Sequence, residues 1–103
     1  MEIYTVYTTE TFDKLFNSLE KSEQNWIIKI KERLEDHPAG KILRYHWFRE
    51  KRYLRRNKRL YYLIDEELKK ILLVSFAPKK DQHKIVEFVI QNMPELLAYL
   101  RGP

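Results

Sequence analysis

The chain has 103 residues, a formal net charge of +5 and no cysteine. That length suits one domain around a single core, and 44% apolar residues, rich in aromatic and β-branched types, argue against disorder. The absence of cysteine excludes a disulfide framework, a thiolate zinc site and a cysteine nucleophile. No apolar run approaches the ~18 residues that a membrane span requires, and the opening MEIYTVYTTETF lacks the basic and apolar regions of a signal peptide. The expectation is a cytoplasmic protein in a reducing compartment.

Residues 3–7, IYTVY, alternate and are β-branched or aromatic, which predicts a short strand. Phe12, Leu15, Phe16 and Leu19 then recur at helical spacing. A break follows at Lys21-Ser22, with Ser22 a plausible N-cap and Glu23 favourable in the first turn. The second helix carries Trp26, Ile27, Ile30 and Leu34 on one side and ends at His37-Pro38-Ala39-Gly40. Residues 9–37 thus read as a helical hairpin with one apolar seam.

After Gly40 the period changes. Residues 42–54 alternate loosely, and Arg55-Arg56-Asn57-Lys58 reads as a hairpin turn in which Asn57 takes positive φ. RLYYLI (59–64) forms the next strand, and 65–70 a second turn. ILLVSFA (71–77) is continuously apolar, as expected of a central strand covered on both faces. Pro78 stops it. From about Asp81 a helical stripe of Ile85, Val86, Phe88, Val89 and Ile90 begins; Pro94 breaks or restarts that helix, and Leu96, Leu97 and Leu100 continue its apolar face. The order is β-α-α-β-β-β-α: an α+β fold with the N-terminal helical hairpin and the C-terminal helix on a small, mainly antiparallel sheet. The helices are expected on one sheet face, leaving the basic residues of 49–59, or their alternating partners, on the other.

Those basic residues are the main functional signal. Nine Lys and Arg fall between 41 and 59, namely Lys41, Arg44, Arg49, Lys51, Arg52, Arg55, Arg56, Lys58 and Arg59, with Glu50 alone opposing them. Like charges facing each other across a hairpin are destabilising. A polyanion would offset that cost, because each neutralised phosphate releases counterions. Interleaved rings (Tyr45, His46, Trp47, Phe48, Tyr53, Tyr61 and Tyr62) would serve either to stack unpaired bases or as core. With only Gly40 and Gly102, the chain has no Gly-rich phosphate loop, and His37, His46 and His83 lack metal-ligand spacing.

The run 40–83 resembles the RelE/ParE superfamily of toxins from type II toxin–antitoxin systems. The matching pieces are GKILRYHWFREKRYL, NKRLYYLID and LLVSFAPKKDQH, and the element order is similar as well. The resemblance implies a single toxin domain over 1–103. It implies one of two activities: metal-free cleavage of messenger RNA on the ribosome, or inhibition of DNA gyrase. The RelE-like activity, an mRNA endoribonuclease that arrests translation, is the preferred expectation; a non-catalytic RNA-binding module on the same fold is a further alternative. No cofactor and no metal are implied. The partners implied are the ribosome, mRNA and an acidic antitoxin whose amphipathic segment docks partly on the apolar stripe between Phe88 and Leu100.

The resemblance also implies roles for residues. Arg59 matches the phosphate-contacting arginine at the start of the third strand. Lys51 and Arg52 lie where relatives carry catalytic cations, with the register open. Lys79 and Lys80 end the last strand, where another basic residue is common. Lys80 and His83 complete the catalytic candidates, and Lys41, Arg44, Arg49, Arg55, Arg56, Lys58 and Lys79 the nucleic-acid-binding ones. By its own position in the first turn of the last helix, His83 reads either as a proton-transfer group or as a solvent-exposed helix histidine. Glu50 is either a base or the partner of a neighbouring Arg. One departure stands out: Val86 occupies the place where some relatives carry a tyrosine, so tyrosine-based proton transfer is not expected here.

Overall fold

The computed structural model describes residues 3–102. Five strands form one sheet in the order β1-β5-β4-β3-β2. They are β1 (Thr5–Thr8), β2 (Lys41–Ile42), β3 (Phe48–Tyr53), β4 (Lys58–Asp65) and β5 (Lys70–Pro78). Only β1 runs parallel to its neighbour, pairing Thr5 with Lys70 and Thr8 with Leu73; the other pairings are antiparallel. The helices are α1 (Glu10–Asn17), α2 (Lys21–Asp36), α3 (Gln82–Gln91) and α4 (Met93–Arg101), with a 3-10 turn over Lys79–Asp81 leading into α3.

Local chemistry sets most element boundaries. Thr9 caps α1, its hydroxyl accepting from the Phe12 N–H at 3.0 Å. The expected cap at Ser22 is displaced by two residues. Glu20 is the N-cap of α2, because Glu23 reaches back to accept the Glu20 N–H, so Ser22 lies inside the helix. Pro94 sits in the first turn of α4, where its missing N–H costs nothing, and α3 and α4 part at Asn92. Asn57 turns the β3–β4 hairpin at φ 51°.

The expected strand over 42–54 is split. Residues 43–47 leave the sheet, held by Arg49: its Nε donates to the His46 carbonyl at 2.5 Å and Nη1 to the Gly40 carbonyl at 3.3 Å. Gly40 is required there. Its φ is 141°, and a Cβ would lie 2.0 Å from the Tyr62 hydroxyl, which donates to the Ala39 carbonyl.

Helices cover both faces of the sheet, which corrects the one-faced arrangement expected from the sequence. Leu60, Tyr62, Ile64, Ile71, Leu73 and Phe76 bury against Phe12, Ile27, Ile30 and Leu34 of α1 and α2. Phe48, Tyr61, Leu63, Leu72 and Val74 bury against Ile85, Val89, Leu96 and Leu100 of α3 and α4. Strand β4 is therefore apolar on both sides, and its two adjacent tyrosines enter opposite cores.

Candidate nucleic-acid interface

The register of β2, β3 and β4 sorts the basic residues by face. Lys41 pairs with Glu50, Glu50 with Tyr61, and Arg52 with Arg59. Directly opposed residues share a face, and Tyr61 packs on the α3 side. Lys41, Glu50, Arg52 and Arg59 therefore point toward α3. Lys51 pairs with Leu60 and points the other way, where it lines a hollow with Ile30, Arg33, Leu34 and His37 of the α2 side. The structure thus brings Arg52, and not Lys51, to the Arg59 face.

Above that face lies an open cleft of about 560 Å³ between β2 with its following loop and the first turn of α3. Lys41, Arg44, Lys79, Lys80 and His83 line it, with Ile42, Leu43, Gln82 and Val86. Among the described residues no carboxylate lines it and none of its four Lys and Arg side chains is ion-paired. Residues 38 positions apart in sequence converge here because β5 returns beside β4 and delivers Lys79 and Lys80 to the end of the sheet next to Lys58 and Arg59. The field in the cleft is positive and suited to an anion.

The polar floor differs from a free arginine site. Arg59 is buried, its side chain 8% exposed, and its Nε lies 3.5 Å from Oε2 of the equally buried Glu50. Gln82, the first residue of α3, donates from Nε2 to the same Glu50 oxygen at 3.5 Å. Nη1 of Arg59 and the hydroxyl of Tyr61 are buried and lack partners among the described residues. Burial pushes the Tyr61 phenol up to about 12; the Glu50 charge adds to this and Arg59 opposes it. Tyr61 is therefore a proton-bearing phenol at neutral pH.

His83 stands at the cleft rim in the first turn of α3, its side chain 83% exposed, with Nε2 3.0 Å from the Glu87 carboxylate one turn on. Val86 lines the cleft on the same helix, as well as flanking the α3-side core, so the wall at that turn is apolar.

Other candidates are committed elsewhere. Arg49 is spent on the 40–46 loop and approaches Glu66 at 4.0 Å. Arg56 pairs with Glu20 at 2.6 Å and Lys58 with Glu23 at 2.8 Å, fastening the β3–β4 hairpin to the start of α2. Arg55 is exposed in that turn. Of the rings, Phe48, Tyr53, Tyr61 and Tyr62 are core, while Tyr45 stacks on Trp47 at 4.7 Å with its outer face open. Gln82 carried no signal in the sequence; its place follows only from α3 docking over β3. Among the described residues no group of His, Asp and Glu is arranged to hold a metal ion, and no helix is long and apolar enough to cross a membrane.

No family model and no curated protein matches the sequence. Solved structures do match. A double mutant of E. coli toxin RelE in the free state is 14% identical and superposes over 87% of this chain and 97% of its own, with a TM-score of 0.74. The chain has the RelE fold. The RelBE2 toxin–antitoxin complex of Mycobacterium tuberculosis aligns at 24% identity over 75% of this chain and 99% of that one (TM-score 0.62). The archaeal RelE–RelB complex of Pyrococcus horikoshii OT3 aligns at 17% identity over 75% and 96% (TM-score 0.55). At these identities the likeness is one of fold, and the RelE fold here carries its own set of cleft residues.

Proposed function

We propose that the chain is the toxin of a type II toxin–antitoxin pair, acting as a metal-free endoribonuclease on messenger RNA held in the ribosome. The observation that carries this reading is the cleft of unpaired Lys41, Arg44, Lys79 and Lys80, with His83 at its rim and Arg59 below. Such cleavage needs a base for the 2′-hydroxyl, cations for the charge gathering on phosphorus, and an acid for the leaving 5′-oxygen. The four cations supply the second requirement without a competing carboxylate. His83 supplies proton transfer: a Glu87 oxygen accepting from Nε2–H leaves Nδ1 as the free acceptor. Arg59 offers its unpartnered Nη1 once the cleft floor opens. RelE structures solved with RelB antitoxins support a partner of the same kind for this chain, an acidic segment complementary to the cleft.

The test is induction of the chain in a bacterial host with mapping of transcript 5′ ends, beside Lys79→Ala/Lys80→Ala and His83→Ala. These side chains are exposed, so the variants keep the fold. New ends within translated codons, lost in both variants, are expected. Growth arrest with intact transcripts would overturn the nuclease reading and favour gyrase inhibition. Salt-sensitive RNA binding without arrest would leave a non-catalytic module.

A further inference from the structure

Arg59 is positioned from outside its own strand. Its Nε meets Glu50 Oε2 at 3.5 Å, and Gln82 Nε2 meets that same oxygen at 3.5 Å from the first turn of α3. Glu50 and Arg59 sit on adjacent strands of the rigid sheet, whereas Gln82 belongs to the helix that carries His83. We propose that Gln82 is a positioning residue: acting through Glu50, it fixes the Arg59 guanidinium with its Nε edge engaged and its Nη1 held unpaired beneath the cleft floor, ready for an anion once that floor opens, and it ties that arrangement to the α3 turn bearing His83.

Three features support this. Glu50 is buried under the cleft, and its Oε2 is reached by two side chains of the protein, Arg59 from the neighbouring strand and Gln82 from α3. Arg52 stands directly across from Arg59 in the register, so without a fixed Glu50 the two like charges would compete for one carboxylate. Both contacts to Glu50 are long, as expected of a site that tightens when its ligand arrives. A neutral amide suits the post: a cation there would neutralise Glu50 and release Arg59, and an anion would repel it.

The geometric part of this proposal is independent of the reaction, while its catalytic consequence rests on the nuclease reading. The experiment therefore has two readouts on the whole chain. The first is the NMR signal of the Arg59 Nε–H in wild type, Gln82→Ala and Gln82→Glu, with Lys84→Ala, an exposed neighbour on α3, as control. Inorganic phosphate is the titrant. Wild type and Lys84→Ala are expected to show one slowly exchanging Arg59 signal; Gln82→Ala should speed its exchange by about tenfold or more and weaken the phosphate response. Gln82→Glu retains the side-chain volume, so it separates positioning from loss of packing. The second readout is ribosome-dependent transcript cleavage, in which Gln82→Ala should lower kcat about tenfold or more with KM nearly unchanged. An unchanged Arg59 signal in both Gln82 variants would overturn the proposal, whether or not the chain cleaves RNA. A changed signal in a chain that never cleaves RNA would uphold the positioning role and remove the nuclease reading. Equal losses in kcat and in thermal stability, with an unshifted Arg59 signal in the folded fraction, would reduce Gln82 to a packing role and overturn it too.

Discussion

Two ion pairs fasten the β3–β4 hairpin to the start of α2, and burial makes their energies different. Lys58 Nζ lies 2.8 Å from Glu23 Oε2 with side-chain exposures of 25% and 3%. Arg56 Nη2 lies 2.6 Å from Glu20 Oε2 with exposures of 51% and 55%. Distance alone would rank the Arg56 pair first. Solvent reverses the order: an exposed pair contributes about 0–1 kcal/mol, whereas removing one partner of a buried pair costs about 3–5 kcal/mol because the other charge stays buried. Lys58 is partly exposed, so a reduced figure of about 2–3 kcal/mol applies to Lys58→Ala. Arg56→Ala should cost about 0.5 kcal/mol or less. In a domain of this size 1 kcal/mol moves Tm by roughly 4–8 °C, so Lys58→Ala should lower Tm by about 10 °C or more and Arg56→Ala by only a few degrees. Urea unfolding of the two single variants and of Glu23→Gln/Lys58→Met measures this, the double variant recovering part of the loss. An Arg56→Ala cost equal to that of Lys58→Ala would refute the reasoning.

The same carboxylate gives a pH signature. Burial raises the Glu23 pKa, but the hydrogen bonds from Lys58 and the Glu20 N–H, with the charges of Lys58 and Arg56, outweigh it and hold the group below 4.5. Its contribution is therefore present above pH 4.5 and lost as pH falls through the depressed folded value, and Lys58→Ala should flatten the acid limb of a stability–pH curve. Tyr61 and Tyr62, raised by burial to about 12, should ionise well above the ordinary phenol value of 10.0 in a spectrophotometric titration. Because the unfolded phenols ionise near 10, stability should fall as pH rises from 10 toward 12. Gly40→Ala should destabilise by about 2 kcal/mol or more, from strained φ and the clash with the Tyr62 hydroxyl, measurable by calorimetry.

The sequence made the helical hairpin legible because Phe12, Leu15 and Phe16 before the break and Ile27, Ile30 and Leu34 after it each recur at helical spacing. The central strand was legible from the unbroken ILLVSFA. The second covered face was hidden because the basic residues of 49–59 suggested an uncovered, polar side of the sheet. Its signal was present in the two adjacent tyrosines, which on a strand must face opposite sides. The splitting of 42–54 depends on one arginine reaching two carbonyls, a tertiary contact that alternation does not encode. In the site, the cationic character was plain in composition, but its distribution was not. Register decides it, since a shift of one residue would exchange Lys51 for Arg52 beside Arg59. Gln82 was invisible because a single amide in a helix start has no pattern.

Salt dependence of RNA binding turns that distribution into a number. If all nine Lys and Arg of 41–59 met phosphate together with Lys79 and Lys80, the slope of log K against log salt would approach roughly −8, at about −0.7 per contact on single-stranded RNA. The structure divides them. Arg49 serves a loop, Arg56 and Lys58 hold α2, Lys51 faces the other side, Arg59 is paired with Glu50, and Arg52 and Arg55 are exposed outside the cleft lining. The cleft retains Lys41, Arg44, Lys79 and Lys80, for a slope of about −3. Lys79→Ala/Lys80→Ala should bring it to about −1.5 while leaving urea stability unchanged. Arg56→Ala should leave the slope where it was, because that side chain is a fastener for α2 and not a phosphate contact. A measured slope near −8 in the wild-type chain would mean that the hairpin leaves α2 to embrace the RNA, and the division of charge drawn from the free fold would not survive binding.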